Sequence, residues 1–348
     1  MFQLFFLLSS GLFLGWSLGA NDAANIFGTA VGTKMIQFRT AAIVGSIFVI
    51  LGAVISGAGA TETLGKLGAV NALPGAFTVA LAAALTVLWM TRLKLPVSTS
   101  QSIVGAIIGW NLYANFPTDY SSLTKIVTTW VLCPLLSALF AFIFFFLFRF
   151  GVSRMRCSII RLDAYTRLAL IVVGAFGAYS LGANNIANVM GVFVSISPFE
   201  TTEILSFSFS SAQKLFLLGG LAIAAGIITY SHKVMETVGS NLYKLSPVAA
   251  LVVVLASSAV LFLFASESLE FWLASRGLPT FPLVPVSSSQ AVVGAVIGIG
   301  LAKGGRNINF GVLGRISIGW VTTPITSGLI AYILLFVVQN LFLMPVYK

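Results

Sequence analysis

The sequence predicts an all-α polytopic membrane protein: two inverted-topology repeats with broken or re-entrant helices, about 10–12 transmembrane segments in all. Three observations predict it. Of the 348 residues, 58% are hydrophobic and only 8% are charged, with a mean hydropathy of +1.02; a soluble domain carries about 25% charge. Apolar segments of membrane-spanning length recur from one end of the chain to the other. Polar motifs embedded in those segments occur twice, in the same order. Such a composition excludes an ordinary soluble enzyme and a disordered chain. The net charge of +10 invites a nucleic-acid reading, but the charges sit at the ends of apolar segments, where they suit a lipid bilayer surface instead. Cys133 and Cys157 form neither a disulfide framework nor a zinc spacing, and His232 is a single histidine.

The first apolar segment, 3–33, lacks the basic start of a signal peptide, and reads as a membrane helix. Segments 41–60, 75–91, 96–113 and 126–148 follow and complete a first repeat over 1–148. Residues 149–167, RFGVSRMRCSIIRLDAYTR, form a basic linker. The second repeat, 168–348, holds segments 168–199, 213–230, 247–265, 283–300 and 316–342. Segments 3–33 and 168–199 are too long for one straight crossing and carry Gly and Asn at their centres, so broken helices are expected there. Segments 96–113 and 283–300 are short and open with Pro-Val-Ser.

Orientation follows from Lys and Arg. With the N-terminus outside and one crossing per segment, only Lys66, Lys125, Lys214, Arg276 and Lys348 of the 19 basic residues lie outside. Both termini are then outside and the linker is cytoplasmic. Five crossings per half, an odd number, turn the second repeat upside down in the membrane.

The repeat is carried by SLGANDAANIFG at 17–28 and SLGANNIANVMG at 180–191, offset by 163. PVSTSQSIVGAIIG at 96–109 returns as PVSSSQAVVGAVIG at 285–298, offset by 189. Trp130 and Pro134 return as Trp320 and Pro324, and Glu62 aligns with Glu236.

Asp22 is the acidic residue that falls inside an apolar span. A charge there costs several kcal/mol unless it is paired, and no Lys or Arg is near it in sequence. Two readings fit: a bound cation, with Gly19 and Gly28 breaking the helix to free carbonyl ligands, or a protonated carboxyl in a helix–helix hydrogen bond. Asn21 and Asn25 flank it; Asn184, Asn185 and Asn188 are their counterparts, with Asn185 in place of the aspartate. Matched amides across a repeat interface suit one shared ligand, while single Asn residues also serve as interhelical glue. Ser98-Thr99-Ser100-Gln101 and Ser287-Ser288-Ser289-Gln290 each follow Pro-Val. Hydroxyls and free N–H groups at a helix start make an anion site, although one cap alone needs one hydroxyl. Neutral donors for an anion beside a carboxylate imply co-bound cations.

GANDAAN and GANNIAN, paired with PVSTSQ and PVSSSQ, resemble the inorganic phosphate transporter (PiT) family, and the resemblance covers both halves. It implies a sodium- or proton-coupled phosphate symporter, a homodimer in the plasma (inner) membrane that works by alternating access. No cofactor is implied beyond co-transported sodium ions, and no nucleic acid. Carried over residue by residue, the resemblance places phosphate on Asn25, Asn188, Thr99, Ser100, Ser288 and Ser289, with Ser98 and Ser287 adjacent. It places cations on Asn21, Asp22, Asn184, Asn185, Gln101 and Gln290. Glu62 and Glu236 are candidate gating or accessory residues, or simply charges facing water. The chain departs from the family at Asn185, where Asp is usual, which bears on the number of cations. Gln101 and Gln290 stand where His is frequent; an amide shuttles no proton, which favours sodium. The competing readings are a proton-coupled symporter, a permease for another tetrahedral oxyanion such as sulfate, and an uncoupled anion channel. No pairing of nucleophile and base suggests an enzyme.

Overall fold

The computed structural model describes residues 2–92, 97–154, 158–204, 207–237, 245–305 and 310–348. Thirteen helices and one hairpin are formed by the described residues. The first half runs α1 (Phe2–Gly32), α2 (Phe38–Ser56), α3 (Ala58–Leu67), α4 (Leu73–Arg92), α5 (Thr99–Ala114) and α6 (Tyr120–Arg154). The second runs α7 (Ile159–Val194), β1 (Thr202–Ile204), β2 (Phe207–Phe209), α8 (Ser211–Thr229), α9 (Ser231–Thr237), α10 (Pro247–Leu263), α11 (Glu267–Ala274), α12 (Ser288–Ala302) and α13 (Phe310–Asn340).

Each of the ten apolar segments contains helix, although residues 97–98 and 283–287 are not helical. Among the described residues, α2, α4, α6, α8 and Ile316–Asn340 of α13 are long and apolar enough to cross a bilayer, and α10 with α11, bent by 69°, makes a sixth such unit. At 1.5 Å per residue, α5 and α12 reach only about 22–24 Å, short of a hydrocarbon core of about 30 Å. These two helices therefore do not join the six, and neither do α1 and α7, which carry the polar motifs. The hairpin β1–β2, antiparallel with Glu203 opposite Ser208, was not foreseen; it is three residues a side, too short to leave a periodicity.

Two expectations on helix breaks are corrected. α1 and α7 run unbroken through their GANDAAN and GANNIAN motifs, with 31 and 36 helical residues. Gly19 does not open the helix. It gives way to the Ile223 carbonyl of α8, which occupies the space a Cβ would need, as the Val49 carbonyl does at Gly182. Tertiary packing thus overrides the low helix propensity of Gly and Asn, roughly 0.7–1 kcal/mol per residue. The real breaks lie elsewhere: at Gly57 between α2 and α3, at 264–266 between α10 and α11, and in the extended segments that end at Ser98 and Ser287.

Packing between the halves is reciprocal. α1 packs on α8 and α4, while α7, its counterpart, packs on α2 and α10; α5 packs on α13, and α12 on α6. The correspondence reaches single atoms. The Pro324 carbonyl of α13 lies where a Cβ on Gly105 would be, and the Pro134 carbonyl of α6 where a Cβ on Gly294 would be. Both prolines lie inside their helices, where each deletes a backbone donor. Trp130 and Trp320, one turn earlier, both keep a buried indole N–H without a partner. Corresponding elements of the two halves thus make corresponding contacts. One continuous apolar core runs through both halves, and the large apolar side chains of α6 and α13 face outwards.

Candidate functional site

The polar motifs of both halves meet at the centre of the core. Ser98 and Ser287 are N-caps: each hydroxyl accepts the backbone N–H three residues on, from Gln101 at 3.2 Å and from Gln290 at 3.3 Å. Capping accounts for one hydroxyl in each triplet. The third hydroxyl reaches across to the other half. Ser100 donates to the Val286 carbonyl at 2.9 Å and Ser289 to the Val97 carbonyl at 3.1 Å. The two extended segments are thereby fastened to each other's helices. The middle hydroxyls differ between halves. Ser288 donates to Asp22 Oδ2 at 2.8 Å, while Thr99 Oγ1 is buried without a partner.

Asp22 is 2% exposed. Besides Ser288, it accepts a hydrogen bond from Asn21 Nδ2 at 3.1 Å. Neither donor is charged, and among the described residues the ion pairs are Glu62–Lys66 and Asp163–Arg167, both exposed. A carboxylate buried with neutral donors alone carries an uncompensated desolvation cost of several kcal/mol. Asn25 donates to Ser288 Oγ at 3.1 Å, so Asn25, Ser288 and Asp22 form one chain.

On the second motif, Asn188 Nδ2 lies 2.8 Å from Ser100 Oγ and 2.9 Å from Asn185 Oδ1. Asn184 acts like a peptide unit: it donates to the Val284 carbonyl at 3.1 Å and accepts from the Val286 N–H at 2.9 Å. Its amide is thus committed to holding the extended segment before α12. Several polar atoms in the cluster remain buried and unpartnered: the side-chain carbonyl oxygens of Gln101, Gln290 and Asn188, the Thr99 hydroxyl and the Asn185 amide nitrogen. Such atoms are rare in folded proteins and costly at about 1–3 kcal/mol each. Three carbonyl oxygens and a carboxylate suit a hard cation; a hydroxyl and an amide N–H suit an oxyanion.

The structure therefore brings together fourteen of the sixteen candidate residues, all those on α1, α5, α7 and α12 and their caps. Glu62 stands apart: it is exposed on α3 and paired with Lys66 at 2.6 Å. Glu236 lies on α9, and its side chain falls outside the described residues. Pro96 and Cys157 also lie outside them. Sequence reasoning missed the carbonyls of Val97, Val284 and Val286, because a backbone atom has no sequence signature; the repeated Pro-Val pair was the available signal. It also missed Ser102, which bonds the Ala83 carbonyl and Ser327 at 3.1 Å each, and Cys133, whose thiol lies 3.7 Å from the Ser287 carbonyl.

Exposure differs between the halves. Asn21 and Asn25 are half-buried, whereas Asn184 and Asn188 are fully buried. Asn21 borders a small pocket with Trp16, Ser17, Thr91, Arg92 and Tyr230. Ser180, the counterpart of Ser17, is sealed in and bonded to the Phe176 carbonyl.

Four likenesses bear on this geometry. The chain matches the model of the Phosphate transporter family over residues 18–162, 158–331 and 271–347. It is 27% identical over 399 aligned residues to a protein of Thermococcus kodakarensis provisionally named a phosphate permease, covering 93% of this chain and 95% of that one. It is 30% identical to the sulfate permease CysP of Bacillus subtilis, over 93% of this chain and 84% of the other. A solved structure, that of a sodium-dependent phosphate transporter, superposes with a TM-score of 0.74 at 25% identity, over 97% of this chain and all of that one.

Proposed function

Since this chain belongs to the phosphate transporter family, we propose that it carries inorganic phosphate across the plasma (inner) membrane in symport with sodium, by alternating access about the central cluster. The observation that carries the reading is Asp22: buried and hydrogen-bonded to neutral groups alone, in a core whose repeated motifs also hold side-chain oxygens that lack donors. Sodium ions beside Asp22, Gln101 and Gln290, with Asn21 and Asn185 adjoining, supply the missing positive charge. Phosphate then takes Thr99, Ser288, Asn25 and Asn188, with Ser100 and Ser289 behind them and Ser98 and Ser287 as caps. Asn184 holds the segment before α12 in place. Without cations the carboxylate repels the anion; with them the site attracts it. Coupling follows from that difference in electrostatic energy between the loaded and empty site. The solved phosphate transporter it superposes on is sodium-dependent, which supports the choice of cation. The charge count places both termini outside and the linker inside. A homodimer is carried forward from the family resemblance; light scattering on the purified protein tests it.

A second reading is sulfate, because CysP is a relative over most of its length. The unpartnered acceptor Asn188 Oδ1, on a residue assigned to phosphate, weighs against it: protonated phosphate donates hydrogen bonds and sulfate at neutral pH does not. The test is uptake of radiolabelled phosphate into proteoliposomes under an inward sodium gradient at equal pH, with sulfate as competitor. Accumulation above equilibrium that sulfate leaves untouched is the expected result. Accumulation under a proton gradient alone would move the coupling to protonation of Asp22. Equilibration without accumulation would make the protein a channel.

A further inference from the structure

The pocket beside Asn21 has a chemistry of its own. It holds about 50 Å³, several times the roughly 10–15 Å³ that one water needs. Ser17, 4% exposed, lines it and keeps a buried hydroxyl without a partner. Arg92 lines it from the last turn of α4 and makes no ion pair among the described residues. Tyr230 adds a hydroxyl, that of Thr91 being committed to the Val87 carbonyl at 2.7 Å, and no Asp or Glu is among the lining residues. Asn21 forms its inner wall and passes its amide N–H to Asp22 at 3.1 Å. The wall is stiffened on the far side, where Trp16 donates its indole N–H to Thr229 at 2.9 Å and its ring lies 5.6 Å from that of Tyr230. Donors and one guanidinium around a small cavity form an oxyanion site, since guanidinium groups bind phosphate-type oxygens through paired N–H groups.

We propose that this pocket is a second oxyanion subsite, in which Arg92 and Ser17 hold phosphate at the edge of the membrane, with Asn21 as the wall towards the central cluster, before it enters, or after it leaves, that cluster. The inference rests on the phosphate reading but differs in its charge balance. The central cluster needs sodium to offset Asp22, whereas the pocket brings its own positive charge. Its counterpart in the other half cannot serve in this conformation, because Ser180 and Asn184 are sealed and hydrogen-bonded.

Equilibrium binding of radiolabelled phosphate to the detergent-solubilised full chain separates the two sites. In sodium-free choline buffer the wild type is expected to keep a weak component that fades as ionic strength rises. Arg92→Gln should weaken that component roughly tenfold or more, Arg92→Lys should restore part of it, and Ser17→Ala should weaken it by a smaller factor. The sodium-dependent component should survive Arg92→Gln and vanish in Asp22→Asn. Absence of any sodium-free component, or one that neither Arg92→Gln nor Ser17→Ala alters, overturns the subsite. Absence of the sodium-dependent component alone overturns the central reading and leaves the subsite standing. If Arg92→Gln fails to fold, the Ser17→Ala result decides.

Discussion

At the scale of single residues, the two Ser/Thr triplets divide their labour, and the division is testable. Ser98 caps a helix; Thr99 has no intramolecular partner. Ser98→Ala should therefore lower thermal stability, by about 1 kcal/mol, with phosphate affinity nearly unchanged. Thr99→Ala should do the reverse, leaving the unfolding midpoint in place and weakening phosphate binding roughly five- to tenfold. The same loss in both variants by radiolabel binding would refute the division. Asp22→Asn keeps an oxygen to accept from Ser288 and removes the charge. It is expected to fold and to lose sodium-stimulated uptake; normal sodium-driven accumulation would remove Asp22 from the cation site. These roles were only half legible in sequence. Three hydroxyls in a row, twice, announced more than capping. Which hydroxyl caps, which fastens and which stays free depends on carbonyls of the opposite half, and those are set by the fold.

Helices carry the next set of consequences. Gly294 of α12 meets the Pro134 carbonyl of α6, while Gly65 on α3 has open space around it. Gly294→Ala should destabilise by about 1–3 kcal/mol through forced separation of the helices. Gly65→Ala should stabilise by about 0.5–1 kcal/mol through lost unfolded-state freedom. Thermal unfolding of both variants in one detergent gives the comparison, and equal shifts would show that α6 and α12 have room to spare. The start of α6 is held by Asp119, whose carboxylate accepts from Ser122 Oγ at 2.6 Å and from the N–H groups of Ser121 and Ser122. The Ser122 hydrogen bond above all, then the Ser121 N–H, holds its pKa below the ordinary carboxylate value. A lowered pKa means stability that is present above the unfolded-state value near 4 and lost as pH falls through the folded one. The gap in unfolding temperature between wild type and Asp119→Asn should therefore close as pH drops from about 6 to 3. A gap that stays constant would mean that charge plays no part in the cap. The existence of the long helices was legible, because each of the ten apolar segments contains helix; the short α3, α9 and α11, at or beyond segment ends, were not. Helix continuity was not: hydropathy reports composition, whereas the unbroken course of α1 and α7 depends on α8 and α2 packing against Gly19 and Gly182.

For the whole molecule, reciprocal packing joined to unequal exposure is what the alternating-access proposal requires of one of its two conformations. Asn21 is half-buried and borders a pocket, whereas its counterpart Asn184 is fully buried. In a background without native cysteines, Asn21→Cys should react with a membrane-impermeant thiol reagent from Arg92's side, with Asn184→Cys protected. Conditions that favour the opposite conformation should exchange the two reactivities. Equal labelling of both under one condition would show that the halves do not alternate. The repeat itself was fully legible, since the motifs are spelled twice. Which half stands open was not, because SLGAN reads identically at both sites.

The fastening of Ser100 to Val286 and of Ser289 to Val97 puts a clasp at the centre of the bundle. Each half grips the other's extended segment, and both grips lie beside the residues that would hold the cargo. In the alternating-access cycle we propose, a clasp so placed would be a fulcrum: helix ends far from it would sweep the widest arcs, while groups at the pivot would turn almost in place. Cargo seated there would keep its ligands through the stroke, and the doors at either end would do the travelling.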